Sequence, residues 1–469
     1  MELSRRDVLK LGAALPFIGA AQAAPPKLEI ISRVLEVKGK AAKVFGIVGP
    51  DGKPGLSMVY GEPFNAVLKN SLSETTAIHW HGLTPPVALD GVPMLVGAPL
   101  KAGESRAYDF VNKKAGTHWM HSHLGLQEQQ LLAAPLIVHE TAKPVFDEQE
   151  HVVMLHDFTF RSPAEIMAEL KGGGGGHAAH MKMDHSKMNG MKMDAMTMPG
   201  MGAMGSDVAY DAILANDCTL DDPEVLGVEK GGTLRLRLIN AASATNLWVD
   251  LGALKGLLIA VDGNAVKTLE VSRFPLAIAQ RADLRIALPK DSGAWPILFQ
   301  SEGAALRGGI VLKAGDGAVT KISDQGEAGA AIGLDFEAML RVPYDLKKSK
   351  VSQHEMVMLT GGDKNYQWGF NGRPMMHDTL FKVKHGTRVA VMMHNMTGMA
   401  HPMHLHGHYF QVTSINGKAF EGAQRDTVLV PAGEMVSIEF EADNPGTWAF
   451  HCHHLYHMNS GMMAAMAYA

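Results

Sequence analysis

The stretch HCHHLYHMNSGM, residues 451 to 462, gathers soft and borderline metal ligands at a density that packing alone does not require. Cys452 stands between His451 and His453, His457 follows it by five residues, and Met462 follows by ten. Three histidine motifs precede this stretch. HWHG carries His79 and His81, HSH carries His121 and His123, and HPMHLHGH carries His401, His404 and His406. Imidazole suits several transition metals, and a group this large implies several ions rather than one.

Such ligands need a rigid frame. From Leu28 onward, short β-rich runs such as TLRLRLIN and MVSIEF are broken by Gly, Pro and Asn turns, while helical periodicity is scarce. That spacing predicts an all-β chain of sandwiches or barrels. Internal matches sharpen the expectation. PFNAVLKNSLSETTAIHWHG, GTLRLRLINAASATNLWVDLG and GTRVAVMMHNMTGMAHPMHLHG each contain an apolar strand ending in asparagine, at Asn70, Asn240 and Asn395. Nine residues later stand His79, Val249 and His404 respectively. Gly116 precedes His121 by five residues, as Gly446 precedes His451. Three related β-domains are therefore expected, over 24–142, 145–318 and 335–469. The first and third keep matched histidines, expected to face each other across their interface, and the second has lost them.

In a strand the side chains alternate, so His451 and His453 are expected on one face and Cys452 on the other. Cys452 with His401, His457 and Met462 supplies the thiolate, two imidazoles and weak axial thioether of a blue copper site. The first domain has Thr76, Ser122, Gln127 and Leu132 at the equivalent positions, and these could not complete one. Two metal centres are thus expected on adjacent residues of one strand.

These four motifs, in this order, resemble the copper motifs of the multicopper oxidases, the laccase and copper-efflux oxidase family, and the likeness covers essentially the whole chain after its leader. The resemblance implies three cupredoxin-like Greek-key β-barrel domains and four copper ions. It implies a type 1 copper on His401, Cys452, His457 and Met462, and a type 2 copper on His79 and His404. A type 3 pair would then use His81, His121 and His453 on one ion, and His123, His406 and His451 on the other. It further implies electron transfer through Cys452 to a cluster that reduces dioxygen to water. Asp90, in ALDGVP, matches the family carboxylate that supplies protons. Met458 and Thr397 depart from the family, because acidic residues stand at these places in many bacterial and cuprous-oxidising members.

The chain of 469 residues has a net charge of −5 and 46% hydrophobic residues, which describes a globular protein and disfavours nucleic acid as a partner. Methionine and histidine are abundant, with 30 and 23 copies. The opening SRRDVLKLGAALPFIGAAQA has an arginine pair, a short apolar run and Ala21-Gln22-Ala23 as a cleavage site. Residues 1–23 are thus expected to be a signal of the twin-arginine type, exporting a soluble monomer to the periplasm. No other segment is apolar and long enough to be embedded in a membrane.

Residues 172–206 form a Gly- and Met-rich insert in the second domain, including Met181, Met183, Met188, Met191 and Met193. Thioethers prefer Cu(I), so these methionines, with Met399 two residues before His401, are candidate ligands for a substrate copper. The expected activity is oxidation of Cu(I), and of phenols, in copper tolerance. A laccase acting mainly on phenols, or a copper-storage protein on an oxidase scaffold, are the alternatives.

Overall fold

The computed structural model describes residues 25–93, 95–143, 145–172, 205–346 and 348–469. Residues 1–23, expected to be an export signal, and positions 173–204 of the insert, with Met181, Met183, Met188, Met191 and Met193, lie outside the described residues. Six sheets follow one another along the chain as three face-to-face pairs, giving three cupredoxin-like domains. The largest apolar clusters are centred on Phe64 and Trp80, on Phe274 and Phe299, and on Phe440 and Trp448. The described residues contain only two α-helices, α1 (Pro163–Lys171) and α2 (Leu455–Asn459). Neither is long and apolar enough to cross a membrane.

The repeated asparagines have one structural job. Each ends an inner strand, is fully buried, and ties the following loop to a neighbouring segment. Asn70 Nδ2 donates to the carbonyls of Glu74 and Leu100, and its Oδ1 accepts from Leu72 N. Asn240 repeats this with Thr245, Leu276 and Ala242, and Asn395 repeats it with Met399, Val430 and Thr397. A buried amide that satisfies three backbone groups cannot be truncated without stranding them, at about 1–3 kcal/mol each. The loops after Asn70 and Asn395 lead directly into the strands Ile78–His81 and His401–Leu405, which carry histidines.

Those strands pair in equivalent registers. Ile78–His81 runs antiparallel to Gly116–Ser122, with His79 opposite His121. His401–Leu405 runs antiparallel to Thr447–Cys452, with His404 opposite His451 and Met403 opposite Cys452. In the second domain Leu247–Asp250 faces Gly293–Ser301, and Val249 lies opposite Phe299. The middle domain has kept the frame and replaced its histidine pair with apolar packing.

The glycines that follow HWH and HLH are also forced. Gly82 has φ of +88°, and a Cβ there would lie 2.6 Å from both Arg281 Nη2 and His118 Nδ1. Gly407 has φ of +66°, and its Cβ would strike the Trp448 ring at 2.5 Å. Both turns need the left-handed region and closely approached backbone, which favour glycine.

Candidate metal centre

Eight histidines converge between the first and third domains, every one of them buried. The ring centroids of His81, His121 and His453 form a triangle with sides of 5.7, 5.1 and 4.9 Å. Those of His123, His406 and His451 form a second, with sides of 5.0, 5.2 and 5.1 Å. The His79 and His404 rings lie 5.7 Å apart. Several overlapping sets of these nitrogens are close enough to hold an ion, including His123 with His406 and His451.

Hydrogen bonds decide which nitrogen of each ring is free. His79 Nδ1 donates to the Asp90 carbonyl at 3.0 Å, and His404 Nδ1 to the Asp426 carbonyl at 2.8 Å. His121 Nδ1 faces Glu128 Oε2 at 2.9 Å, His406 Nδ1 donates to Asp90 Oδ2 at 2.8 Å, and His451 Nδ1 to the Cys452 carbonyl at 2.9 Å. His81 is inverted, with Nε2 donating to Asp426 Oδ1 at 3.0 Å. The opposite nitrogens, Nε2 of His79, His121 and His404 and Nδ1 of His81, are buried without a protein partner, as are both ring nitrogens of His453. Nε2 of His406 and His123 instead point at His451 Nε2, at 2.9 and 3.4 Å. Burial pushes His81, His121, His123, His404, His406, His451 and His453 below the usual imidazole range, His451 to about 3. A ring with no neighbour for its lone pair, held neutral by burial, is a metal ligand in waiting.

The second centre lies behind Cys452. Its Sγ is 3.5 Å from His401 Nδ1 and 3.9 Å from His457 Nδ1, and those nitrogens are 3.2 Å apart. All three residues are fully buried, and Met462 is buried at the head of the strand Met462–Tyr468, in the same apolar cluster as Cys452. Burial pushes the Cys452 thiol up, so a metal would have to displace its proton. The donor chemistry fits copper at both centres: thiolate and imidazole in one, imidazole alone in the other.

Residues not singled out by the sequence motifs hold these ligands in place. Asp426 accepts from His81 and is itself gripped by both terminal nitrogens of Arg281, a fully buried side chain of the second domain. One carboxylate thus joins all three domains at the histidine cluster. Glu128, also buried, lies against His121 and has Oε1 3.8 Å from His453 Nδ1. Burial, reinforced by Asp157, pushes its carboxyl well above the usual range. At the cysteine site the Trp368 ring stacks on His457 at 3.9 Å, and His454 stacks on its other side at 3.7 Å.

Asp207 caps this end. Its Oδ1 is 3.2 Å from His454 Nε2 and its Oδ2 is 3.4 Å from His457 Nε2, and Tyr366 OH donates to it at 2.5 Å. Burial works against its ionisation, but the facing His454 and His457 rings overcome this and hold the carboxyl well below the usual carboxylate range. A carboxylate on the outer nitrogen makes His457 a stronger donor and favours the more highly charged ion. Asp207→Asn is therefore expected to raise the reduction potential of a copper held by Cys452. The rise should be ~45 mV, about 1 kcal/mol for a one-electron couple. Redox titration of the visible band measures it, and an unchanged or lower potential would refute the assignment.

Multicopper oxidase family models match residues 32–143, 149–314 and 349–469. The chain is 28% identical over 419 residues to multicopper oxidase MmcO of Mycobacterium tuberculosis, covering 88% of this chain and 81% of that one. It is 25% identical over 575 residues to copper resistance protein A of Escherichia coli, covering 96% and 93%. Among solved structures, a multi-copper oxidase from Pseudomonas thermotolerans shares the fold, with a TM-score of 0.70 at 22% identity over 94% of this chain and 99% of that one. With each of its three domains matched to one family along most of its length, this chain is a member of the multicopper oxidases.

Proposed function

We propose that this oxidase takes electrons from cuprous ion and passes them to dioxygen, as an exported periplasmic monomer serving copper tolerance. Its domains are assigned to 24–142, 145–318 and 335–469. His401, Cys452, His457 and Met462 would hold a type 1 copper, and His79 and His404 a type 2 copper. His81, His121 and His453 would hold one type 3 ion, and His123, His406 and His451 the other. When bound, the coppers supply one-electron oxidation of the reductant at the cysteine site and four-electron reduction of dioxygen to water at the cluster.

The chain's own residues then have defined tasks. His451 and His453 are covalent neighbours of Cys452, so a few backbone bonds connect the two centres. The His401 outer nitrogen donates to Thr397 Oγ1 at 2.8 Å, which fixes the ring with Nδ1 toward Cys452. Asp90 holds His406 through Oδ2 and brings Oδ1 within 3.2 Å of His79 Nδ1, so a proton held on this carboxylate sits beside both ion groups. Asp90→Asn is expected to slow reoxidation by dioxygen about 100-fold while leaving reduction of the blue band nearly unchanged. Stopped-flow absorbance resolves the two halves, and equal slowing of both would assign Asp90 a structural role only.

The observation that carries the cuprous reading is Met399. It is buried two residues before His401, its carbonyl is tied down by Asn395, and a thioether selects Cu(I) over harder ions. The likeness to copper resistance protein A supports a role in copper tolerance. Oxygen uptake by the copper-loaded protein, with Cu(I) and separately with a simple phenol, tests it. Uptake with the phenol alone would replace this reading by a laccase, and uptake with neither by a copper store.

A further inference from the structure

Methionine is usually spent inside a core, yet five described methionines of the third domain stand in water, and besides Met339 and Met376 three of them lie close together: Met356 is 63% exposed, Met396 58% and Met358 39%. They share one face of one sheet. The strand Val351–Gly361 runs parallel to Arg388–Asn395, with Met356 beside Met392 and Met358 beside His394. On the far side of that strand lies Met435–Glu441, running antiparallel, with His394 beside Met435. The intervening residues Val357, Leu359, Met393, Asn395 and Val436 point into the core, so Met356, Met358, Met392, His394 and Met435 all point outward. Met396 continues this face one step past the strand.

Neighbouring strands are ~4.8 Å apart, so thioethers and imidazole in adjacent positions can reach one ion. At this end of the outer face the sulfur and imidazole side chains stand together, flanked by Asn371 beside Met358 and Asn416 beside Met435. Farther along, the same face carries Ser352, Ser437, Glu439 and Glu441. The face also leads somewhere: Met396 adjoins Thr397, which holds the outer nitrogen of His401.

We propose that Met356, Met358, Met392, His394, Met396 and Met435 form a surface site that captures cuprous ion and presents it to the loop carrying Met399 and His401. The site rests on the cuprous-oxidase reading and deepens it by naming where the substrate first binds. Neutral thioethers favour a soft monovalent ion over Zn(II) or Cu(II) and keep that preference in acid.

Silver(I), a soft ion that the enzyme cannot oxidise, is the probe. The four-copper protein, labelled with ¹³C at its methionine methyls, is titrated with Ag(I) and the methyl resonances are followed by NMR. Assignment by single Met→Leu variants separates these methyls from those of other methionines. The methyls of Met356, Met358, Met392 and Met396 are expected to shift together and saturate. In the variant M356L/M358L/M392L/M396L, which keeps apolar volume, the affinity of His394 and Met435 for Ag(I) should fall about 10- to 100-fold, no less than loss of an outer-shell partner causes. Copper content and the blue band check that the variant is folded, and the wild-type titration stands without it.

Methyls that do not respond to Ag(I), or that move with protein concentration instead, would overturn the site, the latter making it a self-association surface. Oxygen uptake with Cu(I) alongside silent methyls would remove this proposal and leave the cuprous-oxidase reading intact. Responsive methyls with no Cu(I)-driven uptake would keep the ion site and remove that reading.

Discussion

Cys452→Ser is expected to erase the intense visible band, lower oxidase activity by about three orders of magnitude or more, and lower bound copper by one of the proposed ions. The effect should be this large because Cys452 serves two purposes. Its Sγ, 3.5 Å from His401 Nδ1, would be the sulfur donor of the proposed site, and its backbone is the shortest link to His451 and His453. A serine hydroxyl is too hard and too basic to replace the thiolate, while the backbone and both histidines stay in place. Folding should survive, because a buried hydroxyl costs about 1–3 kcal/mol and three separate cores remain. The histidine cluster should still take up copper, since its orienting partners Asp90, Asp426 and Glu128 are untouched. Absorbance, copper analysis and oxygen uptake on one preparation test all parts together. A variant that stays blue would remove Cys452 from the site, and one that loses every copper would show that the two centres assemble as a unit.

The convergence of the histidines was legible in the sequence because duplication made it so. Matching offsets bring His79 to His404 and His121 to His451, and the registers of the two strand pairs are the same. The repeated asparagine was legible as a pattern; only the structure gives its purpose, which is to stitch each loop to a neighbouring segment. The same arithmetic could have found Glu128. The step that carries His457 onto Gln127 carries Met458 onto Glu128, so the carboxyl missing after the cysteine-site histidine stands at the equivalent place in the first domain. It faces the cluster from there, against His121.

Asp426, Arg281 and Asp207 had no such signal. Arg281 and Asp426 are 145 residues apart in different domains and meet only because the domains pack around His81. Asp207 follows a low-complexity segment, where nothing in the local pattern points to a histidine 250 residues away in the chain. Contacts made by domain packing leave no period in a sequence, whereas those made by repeated strands do. The outer methionine face falls between the two. Alternation within Val351–Gly361 and Arg388–Asn395 is visible, but which strands are neighbours, and in what register, is decided by the sheet.

Replacing 173–204 with a short Gly-Ser linker should change the two substrate activities in opposite directions. Efficiency with Cu(I) is expected to fall about tenfold, the order of advantage that tethered ligands give by raising local concentration. Activity on a bulky phenol is expected to rise. The anchors of the insert are the reason to expect both. Before it, α1 begins with a capping box between Ser162 and Glu165 and buries Ile166 and Leu170 in the cluster that contains Trp368, Met399 and Cys452. After it, Asp207 touches His454 and His457, and Val208 enters the same cluster. Both ends of the insert therefore leave the fold beside the cysteine site. The replacement keeps α1 and Asp207, so folding and copper content should stay close to those of the parent. General damage would depress both activities, which makes their divergence the diagnostic. If Cu(I) oxidation survives unchanged, the insert is a tether or a sink for excess copper. The task of guiding substrate would then fall to Met399 and the outer methionine face, whose response to Ag(I) can be read in the same shortened protein.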